Sequence, residues 1–230
     1  MHEDPADAPY LAKVAYKDSS VASRYESVRY RSALGRYTHG REQKAVRRLL
    51  ARLPVSISML DCPCGTGRWW PTLRANATSI TALDVSAEML AHAREHADTA
   101  ALDIAFLQGD AESLPLNDDS VDYVFSHALM KHLPIPVQAR VLSEFARVSR
   151  FGVLCSFSLF SSLTYEIWRR RSLIESFPIL REQLEWLASD AGLFIEAAER
   201  CTTPLGVEHC VLLRHDSPAA RVAPTLGAQA

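Results

Sequence analysis

The chain has 230 residues, 48% hydrophobic and 23% charged, the proportions of one soluble domain long enough to bury a substantial core. Lys plus Arg number 25 against 27 Asp plus Glu, a net charge of −2, so no overall basic excess exists to hold a nucleic-acid backbone. No apolar run has the length of a membrane span, and the acidic opening Met1-His2-Glu3-Asp4-Pro5 does not read as a secretory signal, so the cytoplasm is the expected compartment and a small molecule the expected partner.

In chain order, residues 1–9 read as loose, and residues 10–40 carry Tyr10, Tyr16, Tyr25, Tyr30 and Tyr37 among arginines in one or two short helices. Together residues 1–40 are expected to form a tail and helical lid, residues 41–215 the main domain, and the Pro- and Ala-rich residues 216–230 a flexible tail. Residues 41–53 place apolar side chains at 45, 46, 49, 50 and 53, a helical stripe closed by Pro54. Strands are expected at 56–61, 79–84, 103–107, 121–126 and 152–157. A helix-competent run, 68–76, follows the first strand, and Ser86 caps a helix after the second, with Glu88 suited to its positive end. Val137, Val141, Leu142, Phe145 and Val148 form the buried stripe of a further helix. Residues 161–176, with Trp168 and Arg169-Arg170-Arg171, interrupt the alternation; residues 179–190 are amphipathic. Two last strands, 193–202 and 207–214, are joined through Pro204-Leu205-Gly206 as a hairpin. Alternating strands and helices predict an α/β fold whose mostly parallel sheet is covered on both faces.

The five cysteines form an odd set without disulfide-framework spacing. Cys62 and Cys64 lack the second pair or nearby histidines of a zinc site, so no metal is expected, and Cys155 and Cys210 read as small buried hydrophobes.

The most informative stretch is Ser56-Ile57-Ser58-Met59-Leu60-Asp61-Cys62-Pro63-Cys64-Gly65-Thr66-Gly67: a buried strand, an acid at its end, and a glycine turn. Gly65 and Gly67 supply two glycines of the dinucleotide fingerprint, but Trp70 stands where the third must be small, and Asp61 has no part in it. The stretch resembles instead the first motif of class I S-adenosylmethionine-dependent methyltransferases, hydrophobic-hydrophobic-Asp-x-x-Cys-Gly-x-Gly, through Asp61, Cys64, Gly65 and Gly67. Asp84-Val85-Ser86 at the second strand end, Gly109-Asp110-Ala111-Glu112 past the third, and Leu114-Pro115-Leu116 leading to Ser120-Val121-Asp122-Tyr123-Val124 extend the resemblance in the right order. It covers about residues 40–214, of the small-molecule methyltransferase type.

The resemblance implies a doubly wound, Rossmann-like sheet of seven strands, the last two an antiparallel hairpin, with S-adenosylmethionine outside the carboxyl ends of the strands. It assigns Asp84 to the ribose hydroxyls, Asp110 to the adenine amino group and the Ala111 backbone N–H to a ring nitrogen. Asp61 would order the glycine turn and approach the methionine amino group. Cys64, Gly65, Gly67, Val85, Met89, Gly109, Ser126 and His127 complete the expected cofactor set.

On the catalytic side, Phe125-Ser126-His127-Ala128-Leu129-Met130-Lys131-His132-Leu133-Pro134 lacks the Asn/Asp-Pro-Pro-Tyr signature of amino-group methylation. His127 is the candidate general base, with a pocket-lining role as the alternative, and His132 is expected to pack under the strand. The expected reaction is methyl transfer to oxygen or nitrogen of a small acceptor, and an anionic one would suit Arg24, Arg29, Arg31 and Arg169-Arg170-Arg171. Alternatives are aminopropyl transfer, methylation of RNA or protein, and a cofactor-binding module without catalysis. The acceptor and the oligomeric state stay open.

Overall fold

The computed structural model describes residues 33–99, 104–170, 177–201 and 207–216. The elements follow in order: α1 (Ala33–Leu50), β1 (Ile57–Asp61), α2 (Trp70–Leu73), β2 (Ala77–Asp84), α3 (Ala87–Thr99), β3 (Ala105–Gln108) and β4 (Val121–Ser126). A 3-10 turn (Met130–His132) leads to α4 (Ile135–Val148), β5 (Ser149–Phe160), α5 (Ser162–Arg170), β6 (Ile179–Leu180), α6 (Arg181–Asp190), β7 (Leu193–Arg200) and β8 (Glu208–His215).

The main sheet runs β3-β2-β1-β4-β5-β8-β7, with the two-residue β6 beside the end of β5. The pairs among β1 to β5 are parallel, whereas β8 lies antiparallel to both β5 and β7. Reversal of the strand order between β1 and β4 opens a crevice at their carboxyl ends, the usual ligand position in such sheets. Apolar side chains from α4 and α6 cover one face, and those from α1, α2 and α3 the other. The stripe at Ala45, Val46, Leu49, Leu50 and Leu53 is buried as its spacing requires, and so are Cys155 and Cys210. This is the doubly wound α/β architecture expected from the sequence, closing hairpin included.

Several local expectations differ. The boundary drawn at residue 40 falls inside α1, which runs unbroken from Ala33. The run 68–76 yields only the single turn Trp70–Leu73, with Pro71 in its first turn, where a backbone N–H has no partner to lose. Beyond that turn, the Asn76 amide donates to the carbonyls of Leu50, Leu53 and Pro54, tying the chain back to the end of α1. β5 is longer than expected, part of 161–176 forms α5, and 179–190 divides into β6 and α6. The lid side chains from Tyr10 to Arg31, Arg171, the turn at Pro204-Leu205-Gly206 and residues 217–230 lie outside the described residues, as do the side chains of Trp168, Arg169 and Arg170.

Asp122, within the run resembling a motif, has a structural task. Its Oδ2 accepts the backbone N–H of Ser58 at 2.8 Å and the Ser58 hydroxyl at 3.0 Å, clasping β4 to β1. Arg147 on α4 donates to Glu144, Asp118 and the carbonyls of Leu114 and Leu116, fastening the loop before β4. The guanidinium holds the Glu144 carboxyl below its usual range.

Candidate active site

Asp61 and Asp84 end neighbouring strands, and the glycine turn rises between them. Backbone bonds anchor that turn: Cys62 N–H to the Phe125 carbonyl at 3.0 Å, Cys64 N–H to Leu83 at 2.9 Å, and Gly67 N–H to Cys64 at 3.0 Å. From α3, the His96 ring donates to the Thr66 carbonyl at 3.0 Å. Gly65 has φ +53°, and a Cβ placed on it would meet nothing within 4 Å, so the turn borders open space that a side chain would occupy.

Asp84 organises the turn. Its Oδ2 accepts the Gly65 N–H at 3.0 Å and its Oδ1 the Ser86 N–H at 2.9 Å. Asp84 as a residue is 5% exposed, and burial raises its pKa against the opposing pull of those backbone donors. A carboxylate has about four lone-pair sites, so Asp84 keeps acceptor capacity for a diol hydroxyl. Ser86 is the helix cap, receiving the Met89 N–H at 3.2 Å.

Asp61 is tied differently: its Oδ2 accepts the Trp70 indole N–H at 2.9 Å. With 1% exposure, burial pushes its pKa up to about 8, while the indole bond and the Arg68 charge pull the other way. Trp70 is fully buried, and its ring covers Gly67, whose φ is +80° and whose missing Cβ would stand 2.4 Å from it. The bulky third position that excludes the dinucleotide fingerprint thus braces the acid at the end of β1.

The rest of the expected set sits along the same crevice. Gly109 donates its N–H to the Asp84 carbonyl at 3.2 Å, and the Gln108 amide donates to the Val85 carbonyl at 3.1 Å. Met89 is buried, Asp110 Oδ1 accepts the Glu112 N–H at 3.0 Å, and Ala111 packs against the core face that α4 covers. Burial raises the Cys64 thiol well above its ordinary value, keeping it uncharged. Among the described residues no group of three His, Cys, Asp or Glu could hold a metal ion.

Ser126 and His127, both buried, end β4. His127 meets the glycine turn through Arg68, whose guanidinium lies 3.1 Å from His127 Nδ1, 3.2 Å from His39 Nδ1 and 3.5 Å from Glu42 Oε2. Trp69 packs 4.6 Å from the His127 ring and 4.9 Å from the Arg68 guanidinium, and the Phe125 ring, 5.5 Å from Trp69, lies near-parallel to the imidazole at 6.4 Å. Ala128 follows with φ +64°, held by its N–H bond to Ser156 Oγ at 2.7 Å. At the start of β8, Glu208 Oε2 accepts from Ser158 Oγ of β5 at 3.1 Å and faces Lys131 Nζ at 3.4 Å. His132 sits half-buried in the 3-10 turn. Sequence reading missed Arg68, Trp69, Ser156 and the Lys131–Glu208 pair; the available signal was Arg68-Trp69-Trp70 directly after Gly67, where small residues would suffice.

This sheet order with acids and glycines at the strand ends defines a class I methyltransferase fold. Residues 59–152, 94 of the 230 residues, match the family described as methyltransferase domain, and over that stretch the chain is similar to S-adenosylmethionine-dependent methyltransferases. It is 40% identical over 117 residues to malonyl-[acyl-carrier protein] O-methyltransferase of Pectobacterium atrosepticum, covering 48% of this chain and 42% of that one. Identity is 27% over 213 residues to the biotin biosynthesis bifunctional protein BioHC of Cellvibrio japonicus, covering 87% of this chain and 39% of that one. The chain therefore spans about two fifths of the length of these relatives. Among solved structures, magnesium protoporphyrin IX methyltransferase from Synechocystis PCC 6803 with bound SAH shares the fold at TM-score 0.72 and 17% identity, covering 87% of this chain and 97% of that one.

Proposed function

We propose that the protein holds S-adenosylmethionine across the ends of β1, β2 and β3 and directs its methyl group to a carboxylate oxygen of a small acceptor, such as a malonyl thioester. The carrying observation is the pair of strand-end acids around a glycine turn that leaves open space at Gly65 and a doubly anchored carboxylate at Asp84. Asp84 would hold the ribose hydroxyls and Asp110 the adenine amino group, with Val85, Met89, Gly109 and Ala111 beside them. Asp61, braced by Trp70, would stand toward the methionine amino group, and Cys64 and Gly67 would shape the turn. When bound, the cofactor supplies an electrophilic methyl, so the chain has to align an acceptor oxygen and exclude water.

A carboxylate is already nucleophilic near neutral pH and loses no proton on methylation, so no general base is needed. This agrees with the Arg68 contact on His127 Nδ1, and it makes His127 a lining residue rather than a base. The names of the 40%-identical relatives support oxygen over nitrogen. Mass spectrometry of the protein incubated with S-adenosylmethionine and a malonyl thioester tests this reading: the malonyl methyl ester is expected. If cofactor binds but neither this nor any other carboxylate in a panel is esterified, the acceptor assignment is wrong.

A further inference from the structure

We infer that Arg68 is a positioning residue that fixes His127 in the neutral form carrying its hydrogen on Nε2, so that the ring receives an acceptor oxygen as a donor. The inference rests on the reading of the β4 end as the acceptor side. A guanidinium stays protonated at any working pH and has only hydrogens to offer. The nitrogen 3.1 Å from Arg68 Nη2 must therefore present a lone pair, and a neutral imidazole with its lone pair on Nδ1 carries its hydrogen on Nε2. A base that withdraws a proton through Nε2 would need the opposite arrangement, which would set an N–H against the guanidinium.

Three further observations make this a held geometry. Trp69 packs against the imidazole at 4.6 Å, with Phe125 behind it at 6.4 Å, which restricts the ring from that side. Arg68 is itself held from α1, by Glu42 Oε2 and His39 Nδ1, and by the Trp69 face. The backbone beyond the ring is pinned at Ala128 by Ser156. Two elements far apart in sequence, α1 and the start of α2, thus orient a side chain at the end of β4. An N–H donor at that point favours a carboxylate or carbonyl oxygen and gives no help to an acceptor that must lose a proton.

The test is ¹⁵N NMR of the histidine side chains in the full-length protein at about pH 8, where an exposed histidine is neutral, comparing wild type with Arg68→Lys and Arg68→Met. In the wild type, His127 should show an unprotonated Nδ1 and a protonated Nε2. Arg68→Met should populate the other tautomer, and Arg68→Lys should largely keep the wild-type one. On a malonyl thioester, Arg68→Met should lower kcat about 10- to 100-fold by loosening the ring, with partial rescue by Arg68→Lys and little change in S-adenosylhomocysteine affinity. A wild-type Nδ1–H tautomer overturns the inference, as does an Arg68→Met spectrum identical to wild type. The spectra decide this whether or not that thioester is methylated, so failure of the acceptor assignment stays separate. Should Arg68→Met not fold, the wild-type and Arg68→Lys spectra suffice.

Discussion

The two halves of the strand-end crevice are built by opposite strategies. On the β1–β2–β3 side, polar side chains are satisfied close to home: Asp84 by Ser86 and by the glycine turn, Asp61 by Trp70, Asp110 by Glu112. On the β4–β5–β8 side, contacts join distant parts of the chain: Arg68 to His127 across 59 positions, Ala128 to Ser156 across 28, Lys131 to Glu208 across 77. Short-range wiring holds the three acids, although the glycine turn between them is also tied to Phe125 and His96.

Substitutions can break this comparison, and the largest effect is expected in the glycine turn. Gly65→Val would put a branched side chain at φ +53° into the open space beside the turn. S-adenosylhomocysteine affinity should fall by about 100-fold or more through occupation of the site, while backbone strain of roughly 1–3 kcal/mol lowers the stability of the fold. Circular dichroism should still show a folded domain; global unfolding would make Gly65 a purely structural turn residue.

A smaller, pH-dependent effect separates Asp61 from the rest of the cradle. Because its pKa in the folded protein lies near 8 rather than 3.8, the folded state keeps a proton that the unfolded chain releases. That stabilisation is complete below the ordinary carboxyl value and is lost as pH rises through about 8. In Asp61→Asn the amide oxygen can still accept the Trp70 indole N–H and never ionises. Wild-type Tm should therefore decline from about pH 6 to pH 9 more steeply than that of the variant. Parallel Tm curves would show that Asp61 is already ionised at neutral pH.

What the sequence revealed follows the same division. Asp61, Gly65, Gly67, Asp84 and the 109–111 segment were legible because each is a short motif beside a strand whose apolar pattern marks its end. The closing hairpin was legible from two apolar runs around a Pro-Leu-Gly turn. Arg68, Ser156 and Glu208 were not, because single polar residues gain meaning only when the fold brings their partners close. His127 was singled out, but its contact with Arg68, an arginine outside every motif, is visible only in the fold. Trp70 was noted as an obstacle to another fingerprint, and only the structure shows it bracing Asp61.

The smallest expected effect lies on the acceptor side. Ala128 adopts φ +64° only because Ser156 and its neighbours hold it there. Ala128→Gly should relieve roughly 1–2 kcal/mol of left-handed strain against about 0.5–1 kcal/mol of added freedom in the unfolded chain. The net expectation is a gain of up to about 1.5 kcal/mol in denaturant unfolding. A loss would mean that the strain is not stored at this turn.

The cofactor cradle is tested most directly by calorimetric titration of the wild type and Asp84→Ala with S-adenosylhomocysteine. The account predicts saturable binding at one site in the wild type. In the variant, affinity should drop by roughly 1.5–3 kcal/mol, as the ribose hydroxyls lose their acceptor and the Gly65 N–H its partner. Folded wild type that binds nothing, or an Asp84→Ala variant that binds as tightly as wild type, would contradict it.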